Sequence, residues 1–206
     1  MAPILQFSRL GARWPGESDT AFSGLDLNIE CGDRVVIEGA SGSGKTTLAH
    51  VLVRFLDYSG SYRIGGVESR ELPADAVRGI VGLCEQSPYL FDEDIRQNLM
   101  FAHNSATDEE LVAVLARSVS PSGCASAAAC PPASAMTVRS SRVARLSAWL
   151  SRALLADFPV IVFDEPTANV DPERAAGLMR DILAAATGAQ GEDSRTVIVK
   201  IGRAHV

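Results

Sequence analysis

The sequence predicts an α/β domain built on a largely parallel sheet, and three observations carry that prediction. Short apolar strand patterns alternate with helical ones along most of the chain. A glycine-rich loop joins one such strand directly to a helix. A later strand, Val160-Ile161-Val162-Phe163, is apolar at every position, as strands covered on both faces are, and it runs into two acids, Asp164 and Glu165.

Taken in order, Leu25, Leu27 and Ile29 alternate with Asp26, Asn28 and Glu30, the period of a half-buried strand, and Val35-Val36-Ile37 is a short apolar strand. After the glycine-rich loop, Leu48, Val51, Leu52 and Phe55 recur at helical spacing, so a helix is expected from Lys45 to Phe55. Ser61–Ile64 and Ile80–Cys84 read as strands. Asp108-Glu109-Glu110 places acids where the positive end of a helix dipole favours them, opening a helix to about Arg117. From Ser118 to Ala148 the pattern collapses into Ser, Ala, Pro, Cys and Arg with no acid at all, and disorder is expected there. Order returns with a helix over 150–156, the 160–163 strand, a helix over 172–187 and a strand over 196–199.

The 206 residues, 47% hydrophobic and 21% charged, suffice for one domain with a real core and exclude a disordered or fibrous chain. The net charge of −6 argues against nucleic acid or an anionic membrane as partner, so any phosphate site must be local. No apolar run approaches the roughly 20 residues that cross a bilayer, and the opening residues lack the basic flank of a signal peptide, so a cytoplasmic location is expected. Cys31, Cys84, Cys124 and Cys130 form no C-x-x-C pair and read as incidental thiols.

Gly39-Ala-Ser41-Gly42-Ser43-Gly44-Lys45-Thr46 is G-x-x-x-x-G-K-[ST] between a strand and a helix, the context that makes it a P-loop. Glycines let successive backbone N–H groups converge on phosphate oxygens, the helix N-terminus adds partial positive charge, Lys45 reaches the outer phosphates and the Thr46 hydroxyl can ligate Mg²⁺. The alternative is a Gly-Ser turn with a solvated lysine. At the end of the 160–163 strand, Asp164 is placed to hold the Mg²⁺ of a nucleotide and Glu165 to act as base toward an attacking water.

Together with Pro166-Thr167-Ala168-Asn169-Val170-Asp171, these motifs resemble the nucleotide-binding domain of an ABC transporter: Walker A, Walker B with its catalytic glutamate, and the D-loop. Trp14 resembles the aromatic that stacks on adenine, the alternative being a tryptophan packed beside a Pro-Gly turn. Glu85-Gln86-Ser-Pro-Tyr-Leu-Phe91 resembles the Q-loop of exporter-type members, in which Gln86 would contact Mg²⁺ or the water and signal to the membrane domain; the alternative is a surface glutamine. The resemblance covers residues 1–117 and 150–199. It implies a RecA-like P-loop NTPase core with a mainly parallel sheet, an N-terminal antiparallel β subdomain, and a helical subdomain that is here incomplete or disordered. It also implies ATP and Mg²⁺ as cofactors, with nucleotide on Gly39, Ser41, Gly42, Ser43, Gly44, Lys45, Thr46 and Thr47, metal on Thr46, Gln86 and Asp164, and Asp171 coupling two sites. The implied partners are a second ATPase domain, paired head to tail, and a transmembrane permease domain, at the cytoplasmic face of the plasma membrane. Within the family, Gly82–Gln86 and Gly60–Gly66 look most like the thiol-reductant (cysteine/glutathione) exporters.

The sequence also departs from the family. No Leu-Ser-Gly-Gly-Gln signature precedes the helix at Leu150, and no histidine follows Val199 at the H-loop position. Read one base out of frame, suitably chosen codons for Ser140–Arg145 spell Leu-Ser-Gly-Gly-Gln, so residues 118–148 are expected to be an out-of-frame stretch between compensating indels, a natural insertion being the alternative. Residues 200–206 are expected to be a non-native tail beyond a domain spanning 1–199, and His205 is not taken as the switch histidine. These losses predict a fragmentary chain with weak nucleotide binding and negligible hydrolysis. The rivals are a catalytically dead, partner-binding P-loop domain and a soluble ABC-type ATPase of import, DNA repair or ribosome function.

Overall fold

The computed structural model describes residues 4–86, 89, 91, 94–118, 142–168, 172–186 and 195–202. Two sheets share the molecule. The first is antiparallel and comprises β1 (Leu5–Ala12), β2 (Phe22–Ile29), β4 (Ser59–Ile64) and β5 (Val67–Glu68) in the order β2-β1-β4-β5. The second is parallel and comprises β3 (Arg34–Gly39), β6 (Val81–Cys84), β7 (Val160–Asp164) and β8 (Thr196–Gly202) in the order β3-β8-β7-β6. The helices are α1 (Lys45–Leu52), α2 (Ala74–Ile80), α3 (Ile95–Met100), α4 (Asp108–Ser118), α5 (Arg142–Leu155) and α6 (Pro172–Ala186). The α/β class, the parallel core and the N-terminal antiparallel sheet are those expected.

β7 explains why its sequence is apolar throughout. Val160 and Val162 join the core formed with α1 and the antiparallel sheet, whereas Ile161 and Phe163 face Leu150, Ala153, Leu154 and Ile182 of α5 and α6. Covered on both faces, the strand has no position for a polar side chain until its end.

Order reaches further than the sequence pattern suggested: β1, β5 and α2 have no counterpart among the expected elements, and three further places stand out. Helix α5 begins at Arg142, inside the stretch expected to be disordered; Val143, Leu146, Leu150 and Leu154 recur at helical spacing, a period hidden by the serines and arginines between them. The helical part has its own small core, where Ile95 and Leu99 of α3 meet Leu111 and Leu115 of α4. Residues 119–141 lie outside the described residues. β8 continues three residues past Val199, because Lys200, Ile201 and Gly202 pair with Ile37, Glu38 and Gly39 of β3.

β5 is tied to β4 by a polar cluster. Glu68 accepts hydrogen bonds from the Tyr58 and Ser61 hydroxyls and the Tyr62 N–H. Burial alone would raise its carboxyl pKa, but these donors, with Arg70 nearby, outweigh burial and hold it below the ordinary carboxylate value.

The two-faced burial of β7 sets a contrast that unfolding can read. Phe163→Ala, at a ring with no exposed surface, is expected to cost about 3–5 kcal/mol in urea unfolding. Phe55→Ala, at a ring 62% exposed, is expected to change stability by less than about 0.5 kcal/mol.

Candidate functional site

The parallel sheet places the C-terminal ends of β3, β7 and β8 side by side, the edge at which open α/β sheets bind ligands. The loop after β3 wraps into the N-terminus of α1. Gly42 and Gly44 hold φ of +78° and +82°, a left-handed backbone that other residues adopt at a cost, and Gly44 is the N-cap of α1. A Cβ on Gly44 would come within 2.6 Å of the Ala21 carbonyl oxygen, so that position admits only glycine on space as well. Leu48 N–H donates to the Gly44 carbonyl at 2.9 Å, closing the first turn of the helix.

Lys45 is 8% exposed, and its ammonium donates to the carbonyls of Gly39 (2.8 Å) and Ala40 (2.7 Å) and lies 3.4 Å from Ser43 Oγ. It therefore stitches the loop to itself across its own mouth. Trp14 reaches the same place from the N-terminal sheet: its indole N–H donates to Thr47 Oγ1 at 3.1 Å and its ring meets His50 edge-on at 5.4 Å. At 37% exposure the ring keeps an open face.

At the end of β7, Asp164 is almost fully buried and Glu165 turns sharply with φ of +48°, its N–H donating to the Lys200 carbonyl at 3.0 Å. A left-handed glutamate stores strain of about 1–3 kcal/mol, and such strain persists only where the surrounding structure fixes it. The Glu165 carboxylate stands over Gly202, where an added Cβ would meet Oε1 at 2.9 Å.

A cleft of about 380 Å³ gathers these parts: Trp14 on one wall, Ser41, Gly42 and Gly44 with Lys45, Thr46 and Thr47 along the floor, and Glu165 with Lys200 at the far end. A larger hollow of about 1000 Å³ lies on the other side of Trp14, between residues 11–18 and 54–59. Gly39 and Ser43 touch the cleft through Lys45. Gln86 stands exposed just beyond β6 and does not line the cleft. Asp171 lies outside the described residues, as does His205.

Lys200, expected to open the non-native tail, is the last residue of the arrangement. It is 3% exposed, and its ammonium donates to Thr46 Oγ1 at 2.5 Å and forms an ion pair with Asp164. The signal that could have found it is the parallel register: Asp164 and Lys200 are paired residues of neighbouring strands. Thr46 and Asp164 are the oxygen donors a magnesium ion would use. Here the Lys200 ammonium, from the stretch expected to be a non-native tail, lies between them.

Such a loop, feeding a helix N-terminus beside an acidic strand end, defines a P-loop nucleotide-binding domain. A family profile described as ABC transporter matches residues 22–168, and the chain belongs to that family. It is 32% identical over 176 residues to the ATP-dependent lipid A-core flippase of Chromobacterium violaceum, covering 82% of this chain and 30% of that protein. It is 31% identical over 176 residues to the glutathione/L-cysteine transport system ATP-binding/permease protein CydD of Escherichia coli, covering 82% of this chain and 29% of that one. Among solved structures, a bacterial Atm1-family ABC exporter with ATP bound matches with a TM-score of 0.79 and 25% identity, over 98% of this chain and 35% of its own. The chain thus spans about a third or less of the relatives it matches. No helix among the described residues is long and apolar enough to cross a membrane.

The loop geometry has a direct test in stability. Gly42→Ala, with open space around it, is expected to cost only the left-handed strain of about 1–2 kcal/mol. Gly44→Ala adds a clash with the Ala21 carbonyl and is expected to cost clearly more in the same urea unfolding measurement.

Proposed function

We propose that the chain is the ATP-binding domain of an exporter-type ABC transporter, working with a second ATPase domain and with transmembrane domains at the cytoplasmic face of a membrane. The observation that carries this reading is the convergence of Lys45, Thr46 and Glu165 on one cleft beneath the open face of Trp14.

Adenine stacks on Trp14, whose ring is braced by Thr47 and His50. The triphosphate lies along the loop from Ser41 to Thr47, where backbone N–H groups and the α1 N-terminus offer partial positive charge. On binding, the Lys45 ammonium exchanges the Gly39 and Ala40 carbonyls for phosphate oxygens. Glu165, fixed by its turn and its place over Gly202, is the base that would take a proton from water. Gln86, exposed beyond β6, communicates with the transmembrane domains, and Asp171, outside the described residues, couples the two ATP sites.

Hydrolysis by the chain alone is negligible. The sequence has no Leu-Ser-Gly-Gly-Gln segment to close over a partner's nucleotide, and Lys200, Ile201 and Gly202 stand where the family's switch histidine is sought. Nor is a substrate selected here. A lipid flippase and a glutathione/cysteine transporter resemble the chain equally, so what it shares with them is the ATP-side apparatus.

Calorimetric titration of the purified chain with ATP tests the assignment. Trp14→Ala is expected to weaken binding by about 1–3 kcal/mol, the worth of one stacked base, while Trp14→Phe retains most of it. Phosphate release should stay at background; steady turnover abolished by Glu165→Gln would refute the claim of negligible hydrolysis, and equal affinity in Trp14→Ala would remove the stacking role.

A further inference from the structure

Thr47 carries a proton that the folded chain leaves without a partner. The residue is 4% exposed and lines the nucleotide cleft, and its Oγ1 accepts the Trp14 indole N–H at 3.1 Å. A hydroxyl also donates once, and among the described residues that of Thr47 meets no acceptor. From this arrangement we infer that Thr47 is a positioning residue that relays phosphate binding to the adenine platform. Its hydroxyl donates to a phosphate oxygen while its oxygen holds the indole, so an occupied loop fixes the ring of Trp14 whether or not a base is present.

The placement of Trp14 makes this one bond decisive. The ring belongs to the loop 13–20, whose residues are all exposed and whose neck is closed by the Ala21 N–H donating to the Ala12 carbonyl at 2.9 Å. Among the described residues, the Trp14–Thr47 bond is the only hydrogen bond from that loop to the rest of the chain. The edge-on contact with His50 comes from the same helix, since Thr47 and His50 are three residues apart on one face of α1. Trp14 is thus mounted on the helix whose N-terminus receives the phosphates. It also lines both the cleft and the larger hollow between residues 11–18 and 54–59, so the anchoring of its N–H edge decides that the ring serves the cleft.

Hydrogen bonds in series polarise one another, so an anion that accepts the Thr47 proton makes Oγ1 a stronger acceptor for the indole N–H. The bond to the anion is itself charge-assisted and stronger than a neutral one. By linkage the effect runs both ways: phosphate in the loop raises the affinity of the ring for a base, and a stacked base raises the affinity of the loop for phosphate by the same factor. Base and polyphosphate are therefore bound cooperatively. Phenylalanine at position 14 keeps a stacking face but has no N–H, so it keeps the platform and loses the relay.

The inference rests on the reading of Trp14 as the adenine platform, and a probe without a base separates the two. Tripolyphosphate is titrated into the full 206-residue chain, with binding followed by calorimetry and the indole N–H groups by NMR after labelling tryptophan with ¹⁵N. The chain has two tryptophans, and Trp14→Phe assigns the signal of Trp14 against that of Trp149. Saturation is expected to shift the Trp14 indole N–H resonance downfield and to leave Trp149 unmoved. Thr47→Ser should keep that shift and Thr47→Val, of the same shape without the hydroxyl, should lose it; Thr47→Ala serves if the valine variant fails to fold. In calorimetry, Thr47→Val is expected to weaken ATP binding by about three- to tenfold, and by a smaller factor when Trp14→Phe is already present. Tripolyphosphate binding that leaves Trp14 unmoved, a shift that persists in Thr47→Val or is shared by Trp149, or failure of tripolyphosphate to bind where ATP binds would each overturn the relay alone. Equal ATP affinity in Trp14→Ala with the shift intact would overturn only the platform reading, and absence of binding by ATP and tripolyphosphate alike would overturn the nucleotide reading and the inference with it.

Discussion

The arrangement depends on one strand lying between two others. β8 is inserted between β3 and β7, in parallel register with both, so that Gly202 falls beside Gly39 and Lys200 beside Asp164. Backbone hydrogen bonding of this kind fixes positions along the strand to within a residue, and a slip by one would turn Lys200 away from the cleft. The glycine-rich loop, the acidic end of β7 and the buried lysine therefore meet because of sheet register, although the loop is separated from the other two by more than a hundred residues of sequence.

That register also explains how a small, acidic chain builds a local site for an anion. Most of the surface opposes phosphate, but the cleft concentrates both lysines and the positive end of α1. Around it, the twofold covering of β7 by α1 on one side and by α5 and α6 on the other holds the strand ends in place. Strain at Glu165 is tolerated because its turn is anchored to β8 through the Lys200 carbonyl. Arg152 of α5 extends the same framework toward the segment beyond β6, donating to the Tyr89 carbonyl at 2.7 Å; burial presses its guanidinium pKa below the ordinary value.

Local chemistry was legible in the sequence where it is written in consecutive residues. The loop from Gly39 to Thr46 and the run from Val160 to Glu165 each announce strand, turn and function together, and the cleft contains both. Trp14 was legible only through resemblance, since nothing in its neighbours shows that Thr47 and His50 will brace it. Helix α5 extends over Arg142–Ala148, where polar residues interrupt the apolar period, and its core residues Leu150, Ala153 and Leu154 meet β7 and α6, which come later in the chain. Lys200, expected to open a non-native tail, continues β8 and pairs with Asp164 of β7. Gln86, expected at the metal, is exposed away from the cleft, while Asp171 lies outside the described residues.

The most direct test of this account uses the fact that the chain has only two lysines. With lysine labelled selectively with ¹⁵N, side-chain ammonium resonances report Lys45 and Lys200 separately, assigned by Lys45→Arg. A buried, paired Lys200 is expected to exchange its protons slowly with water and to shift on Asp164→Asn in the nucleotide-free chain. A Lys200 signal in fast exchange with water and indifferent to Asp164→Asn would contradict the account.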